Sequence, residues 1–188
     1  DTGYGGLANV ARTTKAYAQA GVAAIHLEDQ ASPKRCGHLG GVSLIDEDAM
    51  VAKLQVAVEA RGEADMLIVG RTDGFKAERM DAAIRRANCY ASAGVDILFV
   101  DGVTEADDFR RVRHEVAGKL MASVVEIDAP APTKAAELEA MGYSIAAFAL
   151  SGILAAAGAL DRLMAEIASA GDTDRAFESM TTYSALND

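Results

Sequence analysis

Nothing in the sequence stays apolar for the roughly 18 residues that a bilayer crossing takes, so no membrane span is expected. No positively charged, apolar-cored signal segment opens the chain either. Positive charge is scarce: 18 basic against 28 acidic residues give a net charge of −10. A nucleic-acid binder needs a basic face to displace counterions from phosphate, so that class is excluded, and an anionic substrate would need a local cationic or metal site. The two cysteines, Cys36 and Cys89, are too few for a disulfide framework, which makes a reducing cytoplasm the expected home. Also missing is a G-x-G-x-x-G turn between a strand and a helix, the mark of a dinucleotide-binding sheet.

What is present is a chain of 188 residues, 51% of them hydrophobic, enough for a substantial core in one domain spanning 1–188. A helical spacing through Val10, Thr14, Tyr17 and Ala20 stops at Gly21, and a strand is expected over 22–28. Asp46 is placed to cap a helix with Met50, Leu54, Ala57 and Val58 on one face, ending at Gly62. The near-continuous apolar run from Met66 to Gly70 predicts a strand buried on both faces, with Arg71, Thr72 and Asp73 at its exit.

The same order then repeats. A helix through Met80, Ala83, Ile84, Ala87 and Ala91 stops at Gly94, and the strand Ile97–Val100 leads to Asp101. Thr104 and Asp107 suggest a capping box for a helix burying Phe109, Val112 and Val116. A fourth strand, Leu120–Val125, ends in Glu126. Pro130 and Pro132 mark a loop, and Thr133 is expected to cap a helix ending at Gly142. A fifth strand, Ile145–Leu150, leads into a helix carrying Leu154, Leu160, Leu163 and Ile167, and the tail from Gly171 is left open between helix and coil.

Alternation of this kind specifies a parallel α/β sheet with right-handed crossovers. In a (β/α) barrel the carboxyl ends of the strands share one rim, which would gather Glu28, Arg71, Asp73, Asp101 and Glu126 from distant parts of the chain. Five units, no initiator Met and an opening Asp-Thr-Gly-Tyr-Gly-Gly that reads as a loop leaving a strand predict a (β/α)8 TIM-type barrel in which about the first three strands are lacking.

Residues 25–41 concentrate the potential chemistry. An apolar strand ends in Glu28 and Asp29, and the loop after it carries Lys34, Arg35, Cys36 and His38 among the glycines 37, 40 and 41. Read from the residues alone, Cys36 is an ordinary free thiol or a proton donor, and Glu28 and Asp29 are turn caps or metal ligands. Arg71 is an ion-pair partner of Asp73 or a carboxylate binder, while Asp101 and Glu126 are rim hydrogen-bonding groups or substrate contacts. His26 fits a satisfied strand histidine and Cys89 a packing residue.

Asp1-Thr-Gly-Tyr-Gly-Gly, Asn9-Val-Ala-Arg-Thr, His26-Leu-Glu-Asp-Gln, Lys34-Arg-Cys-Gly-His and Arg71-Thr-Asp, in this order and spacing, resemble the isocitrate lyase/phosphoenolpyruvate mutase superfamily. Its short bacterial members of the methylisocitrate lyase, 2,3-dimethylmalate lyase and carboxyphosphonoenolpyruvate mutase type are the most similar, and the likeness runs from residue 1 to about 168. The resemblance implies a (β/α)8 barrel, a homodimer or homotetramer exchanging a terminal helix, and Mg2+ or Mn2+ holding a 2-oxo acid or its enolate. It places Asp1 and Glu28 in the metal site, with a further aspartate ligand preceding residue 1. Lys34, Cys36 and His38 fall on the catalytic loop, Arg71 on the arginine that binds the oxo-acid carboxylate, and Gly37, His38, Asp101 and Ser123 beside the substrate.

The implied activity is cleavage of a small 2-hydroxy di- or tricarboxylate into a 2-oxo acid and a dicarboxylate, with the Cys36 thiol giving a proton to the departing fragment. Oxaloacetate decarboxylation, mutase chemistry of the phosphoenolpyruvate type and a non-catalytic barrel fragment are the alternatives. The sequence departs from the lyase pattern at Leu39-Gly-Gly-Val42, where a basic segment is usual. It also departs at Asp101 for glutamate, Ser123 for asparagine and Ala149 for proline.

Overall fold

The computed structural model describes residues 1–37 and 40–187. Its first compact unit, Asp1–Ala147, is built on helix–glycine–strand units. Helix α1 (Leu7–Gln19) precedes strand β1 (Ala24–Glu28), α2 (Glu47–Arg61) precedes β2 (Leu67–Thr72), and the short α3 (Gly74–Glu78) and α4 (Met80–Ala91) precede β3 (Ile97–Val100). Helix α5 (Ala106–Glu115) leads to β4 (Leu120–Val124), and α6 (Ala135–Met141) to β5 (Ile145–Phe148). The turns into β1, β2, β3 and β5 use Gly21, Gly62, Gly94 and Gly142 with φ between +57° and +91°, where a Cβ would be strained and glycine is not.

The sheet order is β1-β2-β3-β4-β5, and β1–β2, β2–β3 and β3–β4 pair in parallel. Strands that neighbour one another in sequence order make the staves of a TIM-type barrel; a doubly wound sheet would reverse order at a switch point. The pleat sorts side chains onto two faces. Ile68, Leu98, Val100, Leu120, Ala122 and Val124 join Val10, Met50, Leu54, Tyr90, Phe109 and Leu138 in the core beneath the helices. Val69, Ile97 and Phe99, with Met121 against them, form a smaller cluster on the opposite face, the face a barrel turns inward. Each fully buried Leu or Ile in the first cluster contributes about 2 kcal/mol.

Local chemistry differs from the sequence expectation at the helix starts. Helix α5 begins after Glu105 with no side-chain cap, and the Thr104 hydroxyl turns to Glu105 Oε1 (3.3 Å) instead. Helix α6 begins after Lys134, whose N–H donates to Glu137 Oε2 (3.0 Å), while the Thr133 hydroxyl donates to the Thr104 carbonyl (3.1 Å). Thr133 is thus spent on tying two loops together. Asp46 does precede α2, with no side-chain cap bond, and Glu47 and Asp48 supply the acidic first turn.

The second unit, Phe148–Asp188, contains the 20-residue helix α7 (Ser151–Ala170) and the short helices α8 (Asp174–Phe177) and α9 (Tyr183–Asn187). No residue of α7 is buried. Among the described residues no helix is long and apolar enough to cross a membrane.

Candidate active site at the carboxyl ends of the strands

Strand β2 continues past the expected Gly70 to Thr72, which puts Arg71 inside the sheet. In register it stands between Glu28 on β1 and Phe99 on β3. All three point to the inward face by the parity of the pleat. The Arg71 guanidinium lies 5.3 Å from the centre of the Phe99 ring. Its Nη2 donates to Asp73 Oδ1 (2.7 Å) and to Asp101 Oδ2 (2.8 Å), and its Nε is 3.6 Å from Glu28 Oε2.

Burial works against the charge on Arg71, but the carboxylates of Asp101 and Asp73 outweigh it and hold its pKa above the ordinary value. Burial likewise pushes Asp73 up, and Arg71 together with a hydrogen bond from Gln30 brings it below the usual carboxylate range. His26, exposed on β1 with its ring tilted 6.2 Å from Phe99, has a lowered pKa, chiefly through partial desolvation, with the positive charge of Arg71 a lesser cause. The sequence set it on this strand as a satisfied histidine; among the described residues no hydrogen bond to its ring is found.

Glu28 is wholly buried. Lys34 Nζ reaches 2.7 Å from its Oε1, yet among the described residues neither Glu28 oxygen is in hydrogen-bond geometry with any donor. The contact is an ion pair without a directed bond. Asp1 is tied alongside by the bond from Glu28 N–H to the Asp1 carbonyl (3.1 Å), and its Oδ1 accepts from the Thr2 N–H (2.5 Å). Two carboxylates, one of them buried with both oxygens unbonded, suit a hard dication that takes oxygen ligands. By themselves they could fill only part of a coordination sphere: among the described residues no three His, Cys, Asp or Glu side chains stand together as a metal cluster.

The adjacent Asp29 faces the other way. It accepts from the Thr72 hydroxyl (2.7 Å), the Asp73 N–H (2.9 Å) and the Tyr90 hydroxyl (2.7 Å), with Arg86 Nη1 at 3.5 Å. Burial raises its pKa, and these donors oppose the rise. Asp29 is a fixed buried hub beneath the site, a role that neither sequence reading, turn cap or metal ligand, had given it. Arg86 is bound in turn by Glu78 through Nε (2.9 Å) and Nη2 (3.0 Å). The sequence reading missed this network, because the stripe it followed along this helix, Met80, Ala83, Ile84, Ala87 and Ala91, passes over Arg86 and Tyr90.

The reactive loop rests on the cluster through Gly37. Gly37 is buried, and a Cβ there would meet Asp101 Oδ2 and Asp73 Oδ1 at 2.6 Å and Arg71 Nη2 at 3.1 Å. Cys36 is exposed and free. His38 lies outside the described residues. Glu28, Lys34, Gly37, Arg71 and Asp101 are therefore brought together, with Asp1 beside them. Ser123 is half-buried in β4, and no described hydrogen bond joins it to the cluster. Gln30, which the sequence reading passed over, is bonded to both the loop and Asp73.

The sequence model of the family described as phosphoenolpyruvate phosphomutase matches residues 1–168. The chain is 36% identical to 2,3-dimethylmalate lyase of Eubacterium barkeri over 188 residues, covering 100% of this chain and 65% of the relative. It is 34% identical to 2-methylisocitrate lyase of Shewanella oneidensis, covering 99% of this chain and 64% of that one. The crystal structure of a 2,3-dimethylmalate lyase, described as a member of the PEP mutase/isocitrate lyase superfamily, superposes with a TM-score of 0.90 at 35% identity, over 99% of this chain and 62% of its own. The chain thus spans a little under two thirds of the length of these relatives.

Proposed function

Because the chain belongs to the phosphoenolpyruvate phosphomutase family, we propose that it works as a carbon–carbon lyase that splits a small 2-hydroxy di- or tricarboxylate, of the methylisocitrate or dimethylmalate type, into a 2-oxo acid and a dicarboxylate. The observation that carries this reading is the seating of Gly37, next to Cys36, against Arg71, Asp73 and Asp101. It brings a thiol-bearing loop to a buried guanidinium at the mouth of the sheet.

Arg71 is the anchor for a substrate carboxylate. Its Nη2 is held by two aspartates, its position is set by the register with Glu28 and Phe99, and its buried Nε has no hydrogen bond among the described residues. Asp1 and Glu28 are the residues that would hold Mg2+ or Mn2+. Such an ion, when bound, would stabilise negative charge on the oxygens of the 2-oxo acid. Lys34, 2.7 Å from Glu28, adds positive charge at the edge of the same site.

On cleavage the 2-hydroxyl gives its proton to water and becomes the carbonyl of the 2-oxo acid, while the electrons of the broken C–C bond pass to the second fragment. That fragment takes a proton, which we assign to the Cys36 thiol. A reducing compartment keeps this thiol available, in line with a cytoplasmic enzyme. The exposed apolar residues of α7 support the expectation of a homo-oligomer.

The test supplies 2-methylisocitrate, 2,3-dimethylmalate and oxaloacetate with and without Mg2+ and follows 2-oxo acid release. Release from a hydroxy acid that needs the metal and falls by about 10² or more in Cys36→Ser is the expected result. Turnover indifferent to Cys36→Ser removes the thiol from the mechanism. Loss of CO2 from oxaloacetate alone makes the protein a decarboxylase. No turnover together with no heat of Mg2+ binding leaves a non-catalytic barrel.

A further inference from the structure

Gln30 has no part in the chemistry derived above, yet its carboxamide is fully committed. The residue is 1% exposed. Its Oε1 accepts the Arg35 N–H (2.9 Å), and its Nε2 donates to the Arg35 carbonyl (3.0 Å) and to Asp73 Oδ2 (2.9 Å). One side chain thus holds both backbone polar groups of the residue before Cys36 and, with its remaining donor, the carboxylate whose other oxygen binds Arg71.

The neck of the loop is pinned at the same place. Gln30 pairs with Leu44 in an antiparallel bridge, the Ala31 N–H donates to the Ser43 carbonyl (2.8 Å), and the Ile45 N–H donates to the Asp29 carbonyl (2.9 Å). With the neck fixed, the course of residues 34–37 depends on what grips them from inside. The described hydrogen bonds that do so come from Gln30, and they lead into the seat of Gly37. Only a carboxamide presents an acceptor and two donors in one plane at this reach; a carboxylate keeps the acceptor and loses both donors.

We propose that Gln30 is a positioning residue. It registers the Cys36 loop against the Arg71–Asp73 pair, so that the proton donor and the carboxylate anchor are held as one unit. The catalytic consequence rests on the lyase reading, whereas the hydrogen-bonded link does not.

Amide hydrogen exchange, resolved at single residues, tests the link in the intact chain and in Gln30→Met and Gln30→Glu. The Arg35 amide should exchange at least about tenfold more slowly than those of Lys34 and Cys36, as loss of a buried hydrogen bond implies. Gln30→Met, similar in volume, should erase that protection while β1 and β2 keep theirs, and Gln30→Glu should fall between. An Arg35 amide as fast as its neighbours in the unmodified chain overturns the proposal. So does Gln30→Met loosening the strands as much as the loop.

In a chain that turns over, Gln30→Met should lower kcat about tenfold with KM within about twofold, because loop register and not affinity is lost; a change in KM alone counts against the proposal. If no substrate turns over, the lyase reading fails and the exchange result still decides the role of Gln30.

Discussion

A carboxylate at this site is defined by what surrounds it. Glu28, Asp29, Asp73 and Asp101 are all buried, yet Asp73 is held below its ordinary pKa by Arg71 and Gln30 while burial carries Asp29 above its own. A depressed carboxylate stabilises the fold above its unfolded value of 3.8, and the contribution is lost as pH falls through the lower folded value. Asp73→Asn should therefore destabilise the chain by about 2 kcal/mol near pH 6, the scale of a hydrogen bond to a charged group. The difference from the parent should shrink in strong acid, at a pH below that lowered folded value, where Asp73 is as neutral as the Asn that replaces it. Urea unfolding at the two pH values checks this; a cost that is unchanged or larger in acid would mean that Arg71 does not hold Asp73 ionised.

At the scale of elements, the reactive loop and the strand ends act together because Gly37 leaves no room for a methyl group between them. Gly37→Ala sets a Cβ at 2.6 Å from two carboxylate oxygens, so the loop must lift while the sheet beneath is untouched. The expected outcome is a fall in kcat/KM of about 10², the size of a 1 Å misplacement at a reacting centre. Unfolding free energy should stay within about 0.5 kcal/mol of the parent. Steady-state kinetics beside a denaturant titration separates the two.

The strands themselves were legible, because apolar runs bounded by glycine and polar residues mark them: Ile97–Val100 is where the run predicts. The end of β2 was not. Arg71 and Thr72 look like a loop in sequence, and pairing with β3 keeps them in the sheet. The caps at Thr104 and Thr133 failed because each hydroxyl took another partner, Thr104 the side chain of its neighbour Glu105 and Thr133 the distant Thr104 carbonyl.

For the whole molecule, the helices after residue 150 carry exposed apolar side chains. Ile153, Leu160, Met164 and Phe177 are between 55% and 66% exposed, more apolar surface than one helix keeps in water without cover. The chain of 188 residues should sediment as a species larger than one copy, and Leu160→Lys with Met164→Lys should shift it towards the monomer. A parent chain that is monomeric at every concentration would contradict this.

The sequence by itself determined the α/β alternation, the barrel class and the family, because helical and strand periodicities and short motifs are local properties of the chain. It also placed Glu28, Arg71, Asp73, Asp101 and Glu126 on one rim, with Lys34 in the loop that follows the first strand. Only the tertiary structure decided that Glu28 faces the site while Asp29 faces the core beneath it, that Asp73 shares Arg71 with Asp101, and that Gln30 holds the loop. Those outcomes depend on strand register and on partners some 30 to 60 positions away, and a linear pattern carries no information about which distant side chain will arrive at hydrogen-bond distance.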